Sequence, residues 1–187
     1  MIAIRKFKLI IIFMSIGMSL YACKPQTQSF SSNTLGLSFE YPNSWHLGDD
    51  NQDNTLNLEY EVDRLVEARI YIQVDDLQSK NYTLLDYYNE KNPFAQISNS
   101  QFTYSMIQAP EIIDEYQYET LFTSGVFEGQ FEIGGVPLLS VDYIETLVMK
   151  SSNKIILIGI SYRGMEADPK IANSVRSIVD SIIITDP

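Results

Sequence analysis

Three places along the 187 residues combine side chains that could do chemistry. The first is His46 with Asp49, Asn51 and Asp53, a histidine followed by oxygen ligands at alternate positions. That alternation matches the first calcium ligands of an EF-hand loop. The match then stops. Asn54 stands where the sharp-turn glycine belongs, Tyr60 where the bidentate glutamate belongs, and no helical pattern precedes the run. A solvated polar turn accounts for the segment; a weak cation site through His46, Asp49, Asn51 and Asp53 is the alternative. The second place is an acidic cluster, Glu111, Asp114, Glu115 and Glu119, interleaved with Tyr116 and Tyr118. Such clusters are ordinarily solvated faces. Interfaces favour tyrosine, however, so Glu115, Tyr116 and Tyr118 are candidate contacts for a basic partner. The third is Cys23, the single cysteine.

Catalytic arrays are nearly missing. His46 is the sole histidine, so Ser-His-Asp and Cys-His arrangements rest on one residue. HExxH, CxxC, P-loop and GxSxG motifs do not occur. The chain reads as a non-enzyme with no cofactor. Two alternatives stand beside that reading. Carboxylates are abundant enough to form an acid/base pair, which would make a carboxylate-dependent hydrolase. The apolar side of a sheet could also serve as a pocket for an apolar small molecule.

Cys23 closes a segment with a clear pattern. Arg5, Lys6 and Lys8 precede an uncharged apolar run, Leu9 to Leu20, followed by Tyr21 and Ala22. A basic head, an apolar stretch of about 7–15 residues and a small residue before the cut make a secretory signal peptide. The run is shorter than the roughly 20 residues of a spanning helix. Leu20, Ala22 and Cys23 resemble the bacterial lipoprotein signal, in which the cysteine carries the lipid; Tyr21 is bulkier than that pattern prefers. The expectation is a signal peptide over 1–22, lipidation at Cys23, and a protein held on the extracytoplasmic side of a bacterial membrane.

The chain has 13 Lys and Arg against 24 Asp and Glu. Removing the first 22 residues takes away three basic and no acidic side chains. Ten then face 24, a formal charge of −14. Such a surface repels nucleic acid and favours basic partners or cations. With Cys23 acylated no thiol remains for a disulfide, so stability must come from packing.

These residues need elements to position them. Lys24 to Thr34 is polar and reads as a flexible tether, making 23–34 the link to a single domain over 35–187. Leu37, Phe39 and Tyr41 alternate as a half-buried strand stopped by Pro42. Trp45 to Leu47 starts another. Leu56, Leu58, Tyr60 and Val62 alternate, as do Ala68, Ile70, Ile72 and Val74. Thr83 can cap a short helix from Leu84, ended by Pro93. Phe102 to Gln108 reads as a strand. Tyr116 to Phe122 alternates, and Gly125, Gly129, Gly134 and Gly135 punctuate the next stretch of chain. Leu138 to Met149 and Lys154 to Tyr162 form a long antiparallel hairpin. Asp168 caps a closing helix that Pro169 starts, with Ile171, Val175, Ile178 and Ile182 on one face. The class is α+β, a central antiparallel sheet flanked by helices.

The opening Gly36-Leu37-Ser38-Phe39-Glu40-Tyr41-Pro42-Asn43-Ser44-Trp45 resembles the PsbP-like family's "G-x-S-F-x-Y-P-x-x-W". The long hairpin from Leu138 to Tyr162 and the closing helix, ending in Val179 to Ile184, resemble the family's later part. The resemblance implies an α/β/α sandwich, a role as a binding or assembly accessory, and, in bacterial members, lipid anchoring. The same fold serves a eukaryotic import factor that binds the GTPase Ran, so fold does not fix function. In the opening motif Phe39, Tyr41 and Trp45 read as core aromatics, with ligand stacking by Trp45 as the alternative.

Overall fold

A computed structural model describes residues 26–48, 54–77, 82–91, 102–133 and 136–185, with backbone alone at 131–133 and 136–138. The main sheet has seven antiparallel strands in the order β3-β4-β5-β9-β8-β7-β6. They are β3 (Trp45–Leu47), β4 (Thr55–Val62), β5 (Leu65–Asp76), β6 (Phe102–Ile113), β7 (Glu119–Ile133), β8 (Val136–Lys150) and β9 (Lys154–Arg163). A second sheet of three strands runs β1-β2-β10, with β1 (Thr27–Ser32), β2 (Leu37–Pro42) and β10 (Ile183–Ile184). Helix α1 is Leu84–Lys91 and helix α2 is Pro169–Asp180.

The alternation in the strands sorts the buried residues into two clusters. Successive strand residues point to opposite sides. On β9, Ile156, Ile158, Ile160 and Tyr162 share a core with Ile70 and Ile72 of β5 and with Val175, Ile178 and Val179 of α2. Their neighbours Ile155 and Leu157 share a separate core with Leu84, Tyr87 and Tyr88 of α1 and with Leu121 and Val148. Phe39, Tyr41 and Trp45 belong to the first core. Trp45 is 1% exposed, and its indole N–H donates to Ser174 Oγ of α2 at 2.7 Å, so it fills the core and fastens the helix.

Both helix starts are fixed by their sequence. Thr83 Oγ1 accepts from the Asp86 N–H at 3.1 Å, and Asp86 Oδ2 accepts from the Thr83 N–H at 3.1 Å, a reciprocal capping box. Asp168 accepts from the N–H groups of Lys170 and Ile171, with Pro169 at the first helical position.

Three departures from the sequence reading have physical causes. The tether expected over 23–34 carries order from Gln26, which bonds Asn43 through main chain and side chain, and strand β1 runs antiparallel to β2 in unbroken register. One aromatic is enough there: Phe30 stacks on Phe39 at 5.1 Å, while polar neighbours face water at a sheet edge. Strand β7 passes straight through Gly125 and Gly129 instead of breaking at them. The Tyr104 ring leaves no room for a side chain at Gly125, where a Cβ would meet it at 2.6 Å. The closing helix stops at Asp180, and Ile183 and Ile184 turn into a strand against β2.

Candidate functional site

A cleft of about 370 Å³ opens between α2, the 114–118 segment and the β6–β7–β8–β9 part of the main sheet. Its apolar wall includes Leu147, Ile160, Val175 and Val179, and its aromatic wall Tyr116, Phe122 and Tyr162. Glu145 of β8 also lines it. In register opposite Ile160, Glu145 takes an inward position of its strand, on the same face as the buried Leu147 and Met149. The Tyr162 hydroxyl donates to Glu145 Oε2 at 3.1 Å. Burial pushes the Glu145 carboxyl above its ordinary range, and hydrogen bonds from Tyr162 and Tyr143 pull part of the way back. The Tyr162 hydroxyl is raised too, by burial first and by the neighbouring carboxylate second.

The rim is charged. Glu111 lies opposite Phe122 in the β6–β7 pairing, and its carboxylate accepts from the Gln108 amide. Glu115 and Arg176 form an ion pair of 2.7 Å between the 114–118 segment and α2, with both side chains more than half exposed. Of the tyrosines expected to dock a partner, Tyr116 lines the cleft and packs against the larger core. Tyr118 is committed elsewhere: its hydroxyl accepts from the Ile184 N–H at 2.8 Å and holds the closing strand. The cluster is therefore divided: Glu111, Glu115 and Tyr116 line the cleft, while Tyr118 is structural.

His46 stands on another face. It pairs in register with Glu59, and its Nε2 lies 3.8 Å from a Glu59 oxygen and 3.7 Å from a Glu61 oxygen. One ligand atom from each of the three lies within 4.8 Å of the others, so they could hold a metal ion. Arg69 competes for Glu59, bonding its other oxygen at 2.6 Å. Asp49, Asn51 and Asp53, the partners expected for His46, lie outside the described residues, as does Cys23.

Sequence reasoning missed Glu145, Tyr143, Tyr162 and Arg176 as a group. One signal was present: a glutamate at an inward position of the strong strand Leu138–Met149. What placed a helix over it was the long-range packing of α2.

No protein-family model and no curated protein matches the chain. Solved structures do. Cyanobacterial PsbP (CyanoP) from Synechocystis sp. PCC 6803 superposes with a TM-score of 0.56 at 15% identity, over 87% of this chain and 95% of that one. The fold is PsbP-like. The Ran-binding protein Mog1p of Saccharomyces cerevisiae shares it with a TM-score of 0.56 at 10% identity, over 87% and 97% of the two chains. A protein of Bacteroides thetaiotaomicron gives 0.55 at 9% identity over 85% of this chain, which spans about half, 48%, of that longer chain. At these identities the PsbP-like likeness concerns the backbone.

Proposed function

We propose that this PsbP-like domain is a non-enzymatic accessory, anchored by lipid at Cys23 on the extracytoplasmic side of a bacterial membrane, that binds a basic protein partner. The carrying observation is the cleft beside α2, with one half-buried and two rim carboxylates on a chain that is acidic overall. The two core clusters, one under each helix, support an α/β/α sandwich in which α1 and α2 cover opposite faces. The Ran-binding protein Mog1p is an example of such a backbone in a protein that binds another, which supports this reading.

The competing readings fit the cleft less well. A hydrolase needs two carboxylates free to face one substrate. Here Glu115 is held by Arg176 and Glu111 accepts from Gln108, while the single histidine is paired with Glu59 and Glu61 outside the cleft. An apolar carrier would not place a carboxylate in the lining. The test is crosslinking in intact membranes followed by affinity capture. A reproducible basic partner supports the proposal. Clear turnover in an activity screen with no reproducible partner would overturn it.

A further inference from the structure

Glu145 presents an unsolved electrostatic problem. A carboxylate taken out of water ordinarily acquires a cationic partner, because neutral donors alone leave much of its solvation unreplaced. Glu145 is half-buried, with hydroxyl donors, Tyr162 and Tyr143, and among the described residues no cation forms an ion pair with it. Among the described residues lining the cleft, Arg176 is the sole cation, and its guanidinium already lies on Glu115.

We propose that the cleft beside α2 is a receptor for an organic cation, an ammonium or guanidinium group, seated against Glu145 between the aromatic rings of Tyr116, Phe122 and Tyr162. This rests on reading the cleft as the binding site, and it names the chemistry recognised there. Four features converge. The half-buried carboxylate of Glu145 supplies the counter-charge. Aromatic faces attract cations through their quadrupole, all the more where water is excluded. Glu111 and Glu115 at the mouth make the entrance favourable to positive charge. The volume, about 370 Å³, lies at the small end of ligand pockets and suits one side chain or a small amine. A divalent metal fits poorly, since it asks for several oxygen ligands converging on one point and the rings supply none.

The cation should bind in exchange for a proton. Burial holds the Glu145 carboxyl above its usual range, and a seated cation favours the ionised form. The groups facing it are Tyr143 on its own strand, Tyr162 on β9, Glu111 on β6, Glu115 and Tyr116 on the 114–118 segment, and Arg176 on α2. Binding should therefore tighten as pH rises through the titration of Glu145.

Calorimetric titration of the full-length protein decides the matter, with n-butylammonium and N-acetyl-arginine amide as probes and n-butanol as the neutral control. The expected result is saturable binding of both cations, none of the alcohol, and proton release seen as a heat that varies with buffer. Glu145→Gln should weaken binding by about tenfold or more. Glu61→Gln, on the His46 face, should bind as the parent does, and Glu111→Gln should show a smaller loss that salt abolishes. Short peptides with blocked ends and one Lys or one Arg as their sole charge separate the sources. Tighter binding than the free amines points to a protein side chain, and looser binding to a small amine. Unchanged affinity in Glu145→Gln, or equal binding of butanol, would overturn the inference. Partner capture that survives Glu145→Gln would sink this site and leave the accessory role standing; cation binding without any captured partner would do the reverse.

Discussion

A carboxylate in an inward strand position acts on stability through its proton. The ordinary glutamate value is 4.5, and burial raises that of Glu145 in the folded protein. Between the two values the native state keeps a proton that the unfolded chain has released. Its contribution is therefore complete below about pH 4.5 and declines as pH rises through the raised value. Asp142, also raised by burial, adds a slope of the same sign, whereas Asp86 and Glu90, lowered by hydrogen bonds, act oppositely. Comparing Glu145→Gln with the parent cancels these other groups. The variant should gain relative stability as pH rises, read from urea midpoints at several values between about pH 4 and pH 8. Parallel curves would mean that Glu145 is well solvated. Gly36 offers a second residue-scale test. Its φ is +62°, and a Cβ there would meet the Thr185 carbonyl oxygen at 2.5 Å, across the hydrogen bond that Thr185 donates to Gly36. Gly36→Ala combines left-handed strain of about 1–2 kcal/mol with that clash, so the unfolding midpoint should drop by at least a few degrees.

At the scale of elements, α2 joins the two sheets and walls the cleft. Val175, Ile178 and Val179 are buried in its inner face, while Arg176 points to the rim. Val175→Ala should cost about 1–3 kcal/mol. Arg176→Ala removes one exposed ion pair, worth about 0–1 kcal/mol. Asp168→Ala loses the cap, about 0.5–2 kcal/mol. Thermal unfolding of the three side by side should rank Val175 or Asp168 lowest and leave Arg176 near the parent; the reverse order would place α2 on a different face. These elements were readable in the sequence because their signals are local. Ala68, Ile70, Ile72 and Val74 alternate within one strand, and Asp168-Pro169 marks a helix start without help from elsewhere. β1 was not readable, since its one aromatic, Phe30, makes sense only beside Phe39. The passage of β7 through Gly125 depends on Tyr104, far along the chain. The cleft is of the same kind: Glu111, Glu115, Glu145 and Arg176 come from four segments, and nothing local brings them together.

For the whole molecule, the two ends of the described chain meet on β2. It pairs with β1 on one side and β10 on the other, and α2 packs against it. This sets how the proposed anchor would hold the domain. Gln26 is bonded to Asn43, and in the sequence only Lys24 and Pro25 stand between it and Cys23. Three residue steps reach about 11 Å even fully extended. A lipid on Cys23 would keep the three-stranded sheet at the bilayer surface, with α2 and the cleft riding on it. A partner would then meet the cleft within a thin layer above the membrane, where the short leash raises its effective concentration. Two variants test the arrangement. Cys23→Ser should leave the protein uncleaved or released, and retention on membranes at the mature mass would show that something other than lipid holds it. Ten Gly/Ser residues inserted before Gln26 would add about 16–19 Å of root-mean-square reach. The inserted protein should remain on the membrane with an unchanged unfolding midpoint but crosslink less to a membrane-bound partner. Undiminished crosslinking would mean that the short leash does not position the cleft.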